Sequence, residues 1–176
     1  MIAPMPVQDI HAGREAFQRD LRAFLKEGTL ADRGWSKFDD LTLLVPTLVE
    51  NSALGQVDLY LLKLVFDHYP KGPPGAQFIN PITMTYSHPS DLCWVPKCEG
   101  APDIHFHPNY NNAGQLICSS TTLEFYKVNH EVKPEHVWDP QRMNFMSTLA
   151  AIRRGLAPAY YKGRWTPCTT RRCYGD

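Results

Sequence analysis

The chain has 176 residues, 43% of them hydrophobic, which suits one ordinary domain with a proper core. Its 18 basic and 18 acidic residues cancel, arguing against a broad electrostatic grip on nucleic acid or an anionic membrane. No stretch approaches the roughly 20 apolar residues of a spanning helix, and residues 1–7 carry two prolines but no charged run followed by an apolar one, so they do not read as a signal peptide. The expected location is cytoplasmic.

In chain order, the first predicted element is an amphipathic helix. Asp9 can cap it, Ile10, Phe17, Leu21, Phe24 and Leu25 recur at helical spacing, and Gly28 follows as a stop. Residues 41–49 form a β-rich run in which Pro46 marks an edge or a bulge. Residues 57–66 are apolar on both alternating sets apart from Asp58 and Lys63, which predicts a central strand covered on both faces. The link at 50–55 suits a hairpin loop, and a short third strand is expected at 77–79 after the turn-rich stretch 69–75.

From 81 to 112 the periodicity fails and Pro, Asn, His, Cys and Gly accumulate, so irregular backbone is expected there. Long structureless segments inside domains tend to be functional. Residues 115–118 read as a short buried piece. A second strong helix is predicted from Asp139 as N-cap and Pro140 at its first position, with Trp138 and Met143 at the spacing of a hydrophobic staple. Phe145, Met146, Leu149, Ile152 and Leu156 form its buried stripe, and Gly155 and Pro158 end it. Helix, strands, irregular segment and helix together describe an α+β domain with a small antiparallel sheet, an N-terminal helix and a long C-terminal helix.

The five cysteines are an odd number in a chain too long to need disulfide staples. Cys93 and Cys98 share the Cys-x4-Cys spacing of Cys168 and Cys173, leaving Cys118 unpaired. Two such pairs fit a structural zinc site with four cysteine ligands, and zinc would pin an irregular segment with little core of its own. A second ligand set is Cys93, Cys98, His105 and His107, and the plain alternative is four unbound thiols. Taken alone, Cys118 behind Leu116-Ile117 reads as a buried core cysteine.

The context of Cys118 changes that reading. His107-Pro108-Asn109, then Gly114, then an apolar residue directly before Cys118 resembles the active-site segment of the ubiquitin-conjugating enzymes. Tyr69-Pro70 followed by Pro73-Pro74 resembles that family's turn after its third strand, and Trp138-x-Pro140 its helix opening. The resemblance spans roughly residues 10–158. It implies the ubiquitin-conjugating-type fold over 1–176, with residues 81–105 reading as an insertion and 159–176 as a C-terminal tail. It also implies that Cys118 accepts a ubiquitin-like protein as a thioester from an activating enzyme docked on the N-terminal helix, then passes it to an amine of a target protein. No cofactor takes part in that catalysis. By the same resemblance Asn109 steadies the oxyanion or orders the loop, while His107 and Pro108 hold the active-site loop. The family's divergent bacterial members, linked to antiviral defence, are the nearest in pattern. A non-catalytic module of the same fold that binds a ubiquitin-like protein is the rival.

The chemistry is sound on its own terms. A thiolate is the competent nucleophile and must be partly exposed. Exchange of one thioester for another costs little, and transfer to an amine is downhill. An amide N–H aimed at the developing oxyanion is worth about 3 kcal/mol. One part is missing: the loop after the second helix, 157–162, carries no carboxylate to help deprotonate the attacking amine.

Overall fold

In the computed structural model of the chain, Asp9 caps the first helix as its sequence position predicts, its carboxylate accepting the Ala12 N–H at 3.0 Å. The structure describes residues 2, 4–112, 114–128 and 130–167. Helix α1 (Ile10–Leu25) buries Gly13, Ala16, Phe17 and Leu21, while Ile10, expected in the stripe, is 50% exposed. Gly13 is there for closeness: a Cβ at this position would lie 2.2 Å from the Phe66 carbonyl oxygen, so only glycine lets α1 settle on the backbone below it.

A four-stranded antiparallel sheet follows, in the order β1 (Ser36–Asp39), β2 (Thr42–Asn51), β3 (Gln56–Val65) and β4 (Gly75–Ile79). The β2–β3 hairpin pairs from Thr42 opposite Val65 to Asn51 opposite Gln56, and β4 pairs with Leu61 to Val65. Strand β1 reaches only as far as Leu44, so Pro46 falls where β2 is the sheet edge and its missing N–H costs nothing. Strand β3 is central in pairing but not covered on both faces. Asp58, Tyr60, Leu62 and Leu64 are at most 1% exposed, whereas Leu59, Leu61, Lys63 and Val65 between them are half-buried. The apolar run reflects pairing on both edges more than cover on both faces.

The buried face of the sheet meets an aromatic cluster. Phe17 of α1 stacks on Phe66 at 3.8 Å between ring centroids, and Phe145 stands edge-on to Phe17, Phe24 and Phe66. Phe145 opens helix α3 (Phe145–Gly155), which is eleven residues long. The long helix expected from Asp139 is therefore shorter and starts later. Asp139 accepts the Gln141 N–H at 2.9 Å and the Arg142 Nε–H at 2.7 Å, which closes a local turn, and the helix begins only at a second cap, Asn144, with Ser147 completing a capping box. Trp138 is not half of a staple. Its ring N–H donates to the Pro70 carbonyl at 2.8 Å and its backbone N–H to the Tyr126 hydroxyl at 2.9 Å.

The segment expected to be irregular is mostly so. It contains a single 3-10 turn at Leu92–Trp94 and two three-residue strands, β5 (Pro96–Cys98) and β6 (His105–His107). Trp94, Val95, Ala101 and Ile104 are all at most 4% exposed, and Ala101 and Ile104 join the main core of the domain. Asp91 fastens the outer loop, accepting the Asn80 side-chain amide at 2.8 Å and the Ser87 N–H at 2.7 Å. Strand β7 (Leu116–Cys118) pairs with β6, helix α2 (Leu123–Lys127) follows, and β8 (Tyr161–Arg164) returns to pair with β5.

Candidate active site

The site is built on the β6–β7 pair. Its register sets Phe106 opposite Ile117, His107 opposite Leu116 and His105 opposite Cys118. Because side chains alternate across a strand, Phe106 and Ile117 share the core face, where both are buried. His105, His107, Leu116 and Cys118 share the other. Helix α3 supports the pair from the core side at Gly155, where a Cβ would come within 2.7 Å of the Phe106 ring and 2.8 Å of an Ile104 methyl.

Cys118 ends β7 half-buried, and burial alone pushes its thiol up from the ordinary value. The backbone after it is held tightly. The Thr122 hydroxyl donates to the Ile117 carbonyl at 2.5 Å, the Tyr126 hydroxyl to the Ser120 carbonyl at 3.0 Å, and the Thr148 hydroxyl of α3 to the Thr121 carbonyl at 2.7 Å. Cys118 opens onto a cleft of about 220 Å³ that also takes Asp103, His105, Glu131, Lys133 and His136. The side chains of Cys118, Asp103, His105 and Glu131 form no hydrogen bond or ion pair among the described residues.

The turn joining β6 to β7 carries Pro108 and Asn109. The Asn109 amide serves that turn: its N–H donates to Asn112 Oδ1 at 3.2 Å and its oxygen accepts the Gly114 N–H at 3.3 Å. Asn111 and Asn112 take left-handed backbone at φ 49° and 60°, which asparagine tolerates better than most residues. The Pro108 carbonyl accepts the Tyr86 hydroxyl at 2.6 Å, so the 81–105 segment is clamped to the turn. His107 lies 5.2 Å from the Tyr110 ring, and its imidazole is held below the usual range by burial, then by His105 and His130. It is neutral at physiological pH.

Residues 157–162 do not line this cleft, so the missing carboxylate is not missed from that direction. Cys93 and Cys98 are both half-buried with raised thiols, Cys98 up to about 12, because each loses solvent. Cys168 and Cys173 lie outside the described residues, and with them half of the expected zinc ligand set. Among the described residues no three His, Cys, Asp or Glu side chains are grouped as metal ligands, which includes the set of Cys93, Cys98, His105 and His107. No helix among the described residues is long and apolar enough to cross a membrane.

No family model matches this chain, nor does any curated protein or solved structure.

The charged and imidazole residues of the cleft that carried no assignment from sequence are Asp103, Glu131, Lys133 and His136. His105 figured there only as an alternative zinc ligand. The signal that could have found it is the two-residue spacing from His107, which places both imidazoles on one face of any strand. Pairing with Cys118 depends on the register of two three-residue strands, and no periodicity of that length is legible.

Proposed function

We propose that the chain is a ubiquitin-conjugating-type acyl carrier on a ubiquitin-conjugating-type fold. It works in the cytoplasm, taking a ubiquitin-like protein from an activating enzyme as a thioester on Cys118 and passing it to an amine of a target protein. The observation that carries the reading is the placement of Cys118. It ends a strand at the mouth of a cleft, half-exposed, and the strand paired to it carries His107 and leads into the Pro108-Asn109 turn. The preceding order of one helix and a four-stranded antiparallel meander agrees with the resemblance of the sequence. In this reading the exposed side of α1, with Ile10, Arg14, Arg19 and Arg22, receives the activating enzyme.

Loading breaks the acyl C–S bond of the incoming thioester and forms a new one to Cys118. Transfer breaks that bond and forms an amide. By the resemblance Asn109 would steady the oxyanion, but its amide donates to Asn112 Oδ1 and it sits in the turn joining β6 to β7, outside the lining of the cleft onto which Cys118 opens. The rival is a binding module of the same fold, and the observation on its side is that no cation lowers the Cys118 thiol.

The test is a thioester assay with the activating enzyme, ATP and the ubiquitin-like protein, run on a non-reducing gel. The expected result is an adduct that reductant removes and Cys118→Ala lacks. Binding of the ubiquitin-like protein without any adduct would make the chain the binding module instead.

A further inference from the structure

We infer that His105 is the general base of the Cys118 site. It takes the thiol proton as Cys118 is acylated and the ammonium proton of the amine that later removes the acyl group. The first half stands on geometry alone, and the second rests on the function proposed above.

His105 and Cys118 are directly opposed on antiparallel strands. Such a pair holds its Cβ atoms roughly 4.5–5.5 Å apart on one face of the sheet, within reach of an imidazole turned toward a thiol. Both side chains line the same cleft, and among the described residues neither is tied to another partner by a hydrogen bond. Catalytic hydrogen bonds are often unformed in the resting state and close only around substrate. The surroundings call for such a base. Burial holds the Cys118 thiol protonated, and no helix end or cation offsets it.

The charged and titratable groups around the pair come from three places. Asp103 precedes β6, His107 lies two residues along it, and Glu131, Lys133 and His136 come from the segment after α2. Two carboxylates against one ammonium favour entry of a cationic amine. His107 is the wrong imidazole for the task, because it stands opposite Leu116 under Tyr110 and is half-buried.

The steps balance. In loading, the Cys118 S–H proton passes to His105, sulfur attacks the thioester carbonyl carbon, the old C–S bond breaks, and the departing thiolate recovers the proton. In transfer, the ammonium loses a proton to His105 and the free amine attacks the Cys118 thioester. As the C–S bond breaks, the amine's second proton goes to the Cys118 thiolate, and His105 releases its own proton to water.

The test uses the full chain and the alkylation rate of Cys118 by iodoacetamide from about pH 5.5 to 9, a range that spans the imidazole and thiol titrations. The rate is read by mass spectrometry on the Cys118 peptide. The wild-type profile is expected to show an inflection in the imidazole range, which His105→Gln removes with a loss of at least about tenfold at neutral pH. His136→Gln, the other imidazole of the cleft, keeps the inflection. In the thioester assay His105→Gln is expected to load slowly at neutral pH and recover near pH 9, where Cys118→Ala stays inactive. Superimposable alkylation profiles for wild type and His105→Gln would overturn the inference and leave the proposed function standing. An altered profile in a chain that forms no thioester with its partners would support the His105–Cys118 coupling and remove the carrier function.

Discussion

Two clusters of ionisable groups meet the 81–105 segment, one midway along it at Cys93 and one at its Asp103–His105 end, and they are built on opposite rules. In the first cluster Asp58 is 1% exposed and accepts three bonds: from the Asn51 side-chain amide at 3.1 Å, the Tyr161 hydroxyl at 2.6 Å and the Arg164 Nε–H at 3.0 Å. Arg164 spends its other nitrogens on the carbonyls of Cys93 at 2.6 Å and Leu59 at 3.0 Å, and its guanidinium lies 4.4 Å over the Tyr60 ring. In the other cluster Asp103, His105, Cys118 and Glu131 face a cleft where, among the described residues, their side chains have no such partners. A buried cluster with its hydrogen-bonding capacity used up holds structure together, because each group was desolvated once and repaid in full. A cluster with open capacity can bind a proton, an acyl group or an amine. Burial of the Tyr60 and Tyr161 hydroxyls raises both pKa values, so they stay donors at any physiological pH, which suits a permanent joint.

The largest effect is expected where the joint is cut. Arg164→Ala leaves the Asp58 carboxylate buried without its cation, the situation that costs about 3–5 kcal/mol in other proteins. It also frees the Cys93 and Leu59 carbonyls. Urea unfolding should show a loss of that size, with β8 and β5 coming apart first in hydrogen exchange. His105→Gln, in the open cluster, should shift the same midpoint by no more than about 0.5 kcal/mol. Equal losses at the two clusters would mean the cleft residues also hold the fold, and the contrast between them would fail.

How much of each cluster could be read in the sequence follows from the same contrast. Helix α1 and the β2–β3 hairpin were legible because they are long, periodic and capped. The α3 stripe was legible too, but its start was not, because Asp139 spends its acceptor on a local turn that looks like a cap. Strand β1 is exposed along its whole length, so it has no apolar pattern to read. Strand β8 has only four residues and owes its place to Arg164 reaching Asp58 across 106 residues. In the site, His107, Pro108, Asn109 and Cys118 stood out as a motif. Their neighbours Asp103, His105 and Glu131 come together through strand register and loop path, which composition cannot encode.

A second, smaller effect should appear where α3 supports the open cluster from beneath. Gly155 lets α3 pass close to Phe106 and Ile104, and an added Cβ would meet three carbon atoms at 2.7, 2.8 and 2.9 Å. Gly155→Ala is expected to cost about 1–3 kcal/mol as overpacking. Because the strain falls on β6, it should also slow alkylation of Cys118 while leaving the Arg164–Asp58 joint intact. A chain destabilised by this substitution but with unchanged Cys118 reactivity would show that β6 absorbs the strain without moving His105.

The smallest effect separates the two histidines of β6. Burial first, then His105 and His130, lower the His107 pKa below its unfolded value near 6.5. The unfolded chain therefore binds this proton more readily than the folded one, so stability rises with pH across the interval between the two values. The contribution is complete above the unfolded pKa and is lost as pH falls through that value toward the depressed one. His107→Gln should remove this component, so that the drop in urea midpoint between about pH 7.5 and 5.5 becomes shallower than in the wild type. The alkylation inflection of Cys118, assigned to His105, should survive in the same variant. If His107→Gln erased the inflection and left the acid sensitivity of the fold untouched, the two imidazoles would have exchanged roles. The half-buried residue would then do the chemistry, and the exposed one would hold the turn.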